Sequence, residues 1–178
     1  KNADGKYMSL SEYVSQLKDD QKDILYACGK NADAIRQTPQ VEGALEKGMQ
    51  VLFLTDQIDE FVVKVIGEYD GHKIVSVGSA KEQVKDDSFD ELIKAIKERL
   101  GEKVKDVSLS DGLGSYPCCI SAEGEVSLQM EKILNSMPTG GGVKAQRVLE
   151  INPDHPLVKR AKELEGESRN SLIDLLYG

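Results

Sequence analysis

Apolar residues recur along the chain in two patterns, as short continuous runs typical of strands and at three-and-four spacing typical of helices. Residues 49–54 form one such run, and residues 73–77 alternate and are β-branched as in a strand. A strand, a helix and a strand in this order predict a right-handed crossover and a small parallel sheet. The intervening apolar residues share one helical face, which we expect to be the core side: Ile58, Phe61, Val62, Val65 and Ile66.

The same alternation extends towards the beginning of the chain. Residues 22–28 predict another strand, preceded by a helix whose start has the capping-box spacing of Ser9 and Glu12. The helix that follows this strand is broken or restarted at Pro39, because proline cannot donate a backbone hydrogen bond. Residues 1–78 are therefore predicted to form a three-layer α/β unit.

The second part of the chain follows a polar segment without apolar periodicity, residues 79–87, which predicts a linker. Residues 88–178 predict a mixed α+β domain that begins with a strongly amphipathic helix. Short strands within residues 103–109 and 118–121 predict an antiparallel pair joined by a loop. The fold class is therefore α/β followed by α+β, with a small parallel sheet first and a small antiparallel sheet second.

Three further elements complete the second part. Residues 125–135 predict a short amphipathic helix between glycines, and residues 146–151 predict a strand. A helix with Pro156 in its first turn follows, with Leu157 among its core residues. We expect no later residue to cover the apolar face of the last helix, which indicates an interface. That face carries Leu172, Ile173, Leu175 and Leu176.

Charge and composition narrow the classes of function. The chain has 23 basic and 31 acidic residues, a net charge of −8 and a pI near 4.9, so we expect no nucleic-acid partner. No apolar run approaches the roughly 20 residues that span a bilayer, so we expect no membrane partner and a cytoplasmic location. The first residue is not methionine, which suggests a piece of a longer protein.

Residues that could hold a metal or act as nucleophiles are few. The three cysteines, Cys28, Cys118 and Cys119, lack C-x-x-C spacing, and His72 and His155 are the only histidines. We therefore expect no disulfide scaffold, no metal site and no catalytic residue.

Phosphate-binding motifs are also missing from the sequence. The glycine run at residues 139–144 lacks the Walker spacing, and no G-x-G-x-x-G follows a strand. A small-molecule-binding or enzymatic α/β domain remains the alternative function. Its site would lie at the carboxyl edge of the parallel sheet, near Asp56 or Ser76.

Three phrases are more specific than any periodicity: QKDILY at residues 21–26, VLFLTDQIDE at 51–60 and EINPDHPLVK at 150–159. Because of these phrases, the chain from about residue 8 to residue 177 resembles the C-terminal part of the molecular chaperones of the heat-shock protein 90 family. The resemblance is to the bacterial type of this family. The resemblance implies that residues 1–78 close the middle domain and that residues 88–178 belong to the C-terminal, dimerising domain.

The resemblance also implies a function. Members of this family are homodimers that hydrolyse ATP, with Mg, and remodel partly folded client proteins in the stress response. Their nucleotide site lies in an N-terminal domain outside this sequence, so we expect this stretch to be no enzyme and to hold no cofactor. The resemblance places the dimer interface at Leu172, Ile173, Leu175 and Leu176 of the last helix. Because the sequence stops within the first helix of the family's dimeric bundle, we expect native dimerisation of this stretch to be weakened or absent.

By position in the family's motifs, clients would contact two patches of this chain. The first patch comprises Glu60 and Phe61, and the second comprises Val126, Met130, Ile133 and Leu134. A face that contains methionine adapts to many sequences without demanding one. The competing interpretations are that the second patch is an ordinary core helix, that Phe61 is core and Glu60 a solvated charge, or that the whole piece is a rigid arm that clients do not touch.

Overall fold

Two small sheets, each with helices packed beside it, organise the chain. The computed structural model describes residues 1–79, 84–138 and 141–178. The first sheet has the order β2-β1-β4-β3, with β1, β2 and β4 parallel and β3 antiparallel at the edge. Its unit contains α1 (Leu10–Ser15), β1 (Ile24–Cys28), α2 (Ala32–Arg36), α3 (Pro39–Glu46), β2 (Val51–Leu54), α4 (Asp59–Ile66), β3 (Glu68–Tyr69) and β4 (His72–Ser76).

Local sequence signals set several of these boundaries. Before α1, the Glu12 backbone N–H donates to Ser9 Oγ at 3.1 Å and the Ser9 N–H donates to Glu12 Oε2 at 2.7 Å, which completes the predicted capping box. Pro39 stands at the first position of α3 and separates it from α2. The predicted restart at this proline is therefore confirmed.

Apolar clusters cover both faces of the first sheet, which confirms the three-layer prediction. On one face, Ile35 and Val41 pack with Phe53, and on the other Tyr13 packs with Leu52. The Tyr13 hydroxyl is itself bonded, donating to the Gln50 carbonyl at 2.5 Å and accepting from the Leu25 N–H at 3.1 Å. Burial raises the pKa of Tyr13 to about 12.

The second sheet has the order β5-β7-β6, with β5 parallel and β6 antiparallel to the central strand. Its unit contains α5 (Asp90–Leu100), β5 (Asp106–Leu109), β6 (Cys118–Glu123), α6 (Leu128–Ser136), β7 (Gln146–Ile151), α7 (Pro156–Glu163) and α8 (Gly166–Tyr177). The α/β then α+β layout is thereby confirmed.

The predicted antiparallel pairing of the two strands before and after the 111–116 loop is wrong, because β7 lies between them. The Asn152 side chain at the end of β7 donates to the carbonyls of Gly114 and Tyr116, at 3.3 and 3.1 Å. These bonds hold the loop between β5 and β6 against the end of β7, which lies at the centre of the sheet.

One apolar cluster fills the second unit. It joins Leu92 and Ile96 of α5 with Leu149 of β7 and Val158 of α7. The prediction that Leu157 lies in this core is wrong, since its side chain is exposed at the start of α7.

The predicted linker, residues 79–87, is only partly visible, because residues 80–83 lie outside the described part of the chain. Val84 beyond them forms an antiparallel bridge with Leu109 of β5. In the described parts of the chain, no helix has both the length and the apolar character needed to cross a membrane.

Candidate functional site

Glu60, in the first turn of α4, lies at the junction of the two units. Its side chain is only 2% exposed, so it is not the solvated charge of the competing interpretation. Glu60 Oε2 accepts a hydrogen bond from Ser127 Oγ at 2.8 Å, and Lys64 Nζ lies 3.9 Å from Glu60 Oε1. A buried carboxylate needs such partners, because its charge has lost most of its water.

Ser127 connects this carboxylate to the helix that carries the second predicted patch. It is the N-cap of α6, and its Oγ accepts a hydrogen bond from the Met130 N–H at 3.0 Å. Lys64 reinforces the junction, because its ammonium group donates to the Glu125 carbonyl. The structure therefore brings the Glu60 segment and the start of α6 together, although they are 67 residues apart in sequence.

The junction lowers the reactivity of the Cys28 thiol at the end of β1. Burial, followed by the negative charges of Glu60 and Asp59, raises the pKa of the Cys28 thiol to about 12. The pKa of Tyr26 is also raised, first by burial and then by Glu60. Cys28 is therefore protonated at neutral pH and is a poor nucleophile.

The second predicted patch is less continuous than its spacing indicated. Val126 precedes α6 rather than lying on it, and Ile133 is only 8% exposed. Met130 and Leu134 are half-buried. The partly accessible apolar side chains of this helix are therefore Leu128, Met130 and Leu134, and exposed Met137 follows just after its end.

An apolar face of α4 points into solvent, contrary to the prediction that it is the core side. The buried side chains of α4 are instead Glu60 and Val63. Phe61 is half-buried beside the exposed face. We call this face the α4 stripe; it consists of Ile58, Val62, Val65 and Ile66.

The side of α4 opposite the stripe carries a single apolar residue, Val63, beside the charged Glu60, so apolar periodicity favoured the wrong side. A possible signal was Glu60 and Val63, which lie three residues apart and therefore share the opposite face. Sequence reasoning took the wider apolar face as the buried one.

The four residues predicted for a subunit interface divide into two groups. Leu172, Ile173 and Leu176 pack on the apolar cluster of their own unit, which residues earlier in the chain help to form. Leu175 is 69% exposed. Only Leu175 is thus fully presented for contact with another molecule.

A cleft of about 420 Å³ runs between the two units along the carboxyl ends of β1 and β4. Cys28, Glu60 and Ser76 line it from the first unit, and Ser121 and Ser127 line it from the second. Asp56 lines a separate recess of about 210 Å³. Within residues 1–79, 84–138 and 141–178, no group of three or more histidine, cysteine, aspartate or glutamate residues is placed to hold a metal ion.

Comparison with known proteins identifies the family of the chain. The family model described as "Hsp90 protein" matches residues 1–177. The chain is 38% identical to the chaperone protein HtpG of Bacillus velezensis, and the match covers 97% of this chain and 30% of that protein.

Two further HtpG chaperones match to a similar extent. The chain is 41% identical to that of Clostridium perfringens, over 97% of this chain and 29% of that protein. It is 42% identical to that of Clostridium botulinum strain Langeland, over 97% of this chain and 30% of that protein. The chain thus spans about 30% of the length of these relatives. Since the family model matches nearly every residue, this chain belongs to the Hsp90 family.

Proposed function

We propose that this chain is part of an ATP-dependent molecular chaperone that binds and remodels partly folded client proteins. The family match and the names of the relatives, which are called chaperones, support this role. ATP and Mg would act at a domain outside this sequence, so this stretch would contribute binding and assembly rather than catalysis. The complete protein would be a homodimer that acts in the cytoplasm as part of the stress response.

The observation that carries the proposal is the α4 stripe. Its four aliphatic residues follow the spacing of one helix face and remain exposed in the folded chain, with Val65 88% exposed. Contiguous apolar patches larger than a few hundred Å² are uncommon on soluble domains and often mark binding sites. Aliphatic side chains offer no hydrogen bonds that would select one partner, which suits a surface for many unfolded sequences.

The stripe is well placed to act together with α6. Phe61 flanks it, and the Glu60–Ser127 hydrogen bond joins α4 to the start of α6, where Met130 is half-exposed. Clients would thus contact Phe61 and the stripe on one unit, and Met130 and Leu134 on the other. The other three predicted residues would lie at the margins of this surface. Glu60 and Ile133 are largely buried, and Val126 lies before the helix.

Subunit assembly would involve α8. Of its four predicted interface residues, Leu175 is the one that points fully outward, with half-buried Leu172 and Leu176 at its edges. A single exposed leucine buries far less than the roughly 800 Å² per partner of a stable interface. Further segments of the complete protein would therefore have to supply most of the dimer contact.

The experiment is a residue-resolved NMR titration of the chain with a permanently unfolded model protein. We expect shifts in Phe61, the α4 stripe, Met130 and Leu134. The double substitution Val62→Ser and Val65→Ser should weaken binding about tenfold, since it removes exposed apolar area without touching the core.

A matched control is Leu157→Ser, which changes an exposed apolar residue on α7. It should leave the affinity unchanged. Unchanged spectra at high client excess would contradict the proposal and leave a rigid arm that clients do not touch. Equal weakening by the control would show non-specific adhesion.

A further inference from the structure

Among the described residues, the contacts between the units form two groups that differ in kind. The first joins α3 to the loop before β6 and to β6 itself. Gly43 of α3 packs directly on the backbone of Gly112, so closely that a Cβ at position 43 would overlap the Gly112 carbonyl. Beside it, Ser115 Oγ donates to Glu42 Oε1 at 2.8 Å. Backbone packed on backbone has no side chain to rearrange, so this contact is close to rigid.

The second contact is polar and depends on side chains. It consists of the Ser127–Glu60 hydrogen bond at 2.8 Å and of the bond from Lys64 to the Glu125 carbonyl. The cleft of about 420 Å³ is lined by Glu60, Lys64 and Ser127 and by residues of both units. Water can enter this cleft and replace both bonds, because hydrogen bonds between protein groups are readily exchanged for bonds to water.

We propose that the α3 contact is a fixed pivot and that the Glu60–Ser127 bond is a latch, whose release lets the second unit swing away from α4. Glu60 is then a positioning residue that sets the distance between α4 and α6. Glu60 is 2% exposed in the latched form, and its carboxylate reaches solvent when the latch opens.

If the proposed function holds, the α4 stripe and α6 form one client surface only while the latch is closed. Opening the latch would separate them and change the spacing of the client segments that they hold.

Ser127 has a second role that a test must separate from the latch. Its hydroxyl also caps α6, so Ser127→Ala would fray the helix for a reason unrelated to Glu60. Aspartate and asparagine cap helices as well as serine does, and aspartate is further favoured by the helix dipole. Ser127→Asp therefore keeps the cap but places a second carboxylate against Glu60, whereas Ser127→Asn keeps the cap and can donate to Glu60.

The measurement is amide hydrogen exchange of the complete 178-residue chain, without client, so that its result is independent of client binding. We expect Ser127→Asp to accelerate exchange about tenfold in α4 and around the start of α6, since it replaces an attraction by a repulsion. Ser127→Asn should exchange as the unaltered chain does. The double variant Ser127→Asp with Glu60→Gln should restore slow exchange, because the amide of Gln can donate to the new aspartate.

The two units provide internal controls. Exchange in α1 and in α5, neither of which lines the cleft, should be unchanged in all three variants. The latch is overturned if Ser127→Asp leaves α4 and α6 as slow as before, if it accelerates every element alike, or if Glu60→Gln fails to reverse its effect.

Discussion

Helices α4 and α8 have similar apolar patterns but opposite relations to the core. In α4 the wide apolar face is exposed, and the narrow face with Glu60 and Val63 is buried. In α8 the apolar face is covered, and Ile173 is 1% exposed. The contrast shows that an apolar stripe does not by itself reveal whether the rest of the chain covers it, because its tertiary neighbours decide that.

The neighbours of the two helices explain the difference. Helix α8 packs on α5 and α7, and Arg99 of α5 holds Asp174 of α8 through two bonds at 3.0 and 2.6 Å. Helix α4 packs against β4 with one side only, where Val63 joins the apolar cluster of the first sheet. Among the described residues, exposed Ile58, Val62 and Val65 belong to none of the three core clusters.

The largest effect should come from truncating the buried side of α8. Ile173→Ala should lower the free energy of unfolding by about 4 kcal/mol, because it leaves a cavity in the core of the second unit. The matched control, Leu175→Ala on the same helix, should change it by less than about 0.5 kcal/mol. Urea denaturation followed by circular dichroism would measure both, and similar losses would show that Leu175 is also packed.

The same comparison within α4 should give a smaller effect. Val63→Ala should cost about 2 kcal/mol, because it removes buried methyl groups from the first sheet's cluster. Val65→Ala should be nearly neutral, within about 0.5 kcal/mol. Thermal and urea unfolding of the two variants would test this, and a reversed order would mean that the α4 stripe packs inward in solution.

The smallest effect concerns the ion pair that fastens α8. Hydrogen bonds from Arg99 lower the pKa of Asp174, so the folded chain holds this carboxyl ionised more firmly than the unfolded chain does. The ionised Asp174 therefore contributes fully to the free energy of unfolding above the pKa of the unfolded chain, about 3.9. This contribution disappears as the pH falls through the lower pKa of the folded chain.

Asp174→Asn should slightly lower stability at pH 7, and the difference from the unaltered chain should shrink towards pH 3. Urea midpoints at several pH values would measure this trend. Arg99→Gln should produce the same loss of pH dependence, since it removes the other half of the pair. A constant difference across the pH range would show that Asp174 stabilises α8 in some other way.

Much of the fold was predictable because its signals are local. The capping box at Ser9, the restart at Pro39 and the strand Gln146–Ile151 all depend on residues within a few positions of each other. The parallel sheet was predictable because short crossover units have few alternatives. The order of the second sheet was not predictable, because Asn152 directs the connection around β7 through residues 36 and 38 positions away.

The candidate site was predictable only in part. The family phrases led to Glu60, Phe61 and the helix that contains Met130, but not to which of these side chains are accessible. Burial of Glu60 depends on Ser127, 67 residues further along the chain, and no spacing rule connects two such positions. The α4 stripe was recognised as apolar and assigned to the wrong environment.

Local propensity and extended sequence similarity were enough to predict most helices and strands, the layout of two units and the family. The buried side of each amphipathic helix, the central position of β7 and the burial of Glu60 at the junction became clear only from the folded chain. The physical reason is that burial depends on the surfaces that the rest of the chain brings alongside, and a pattern along one helix carries no information about them.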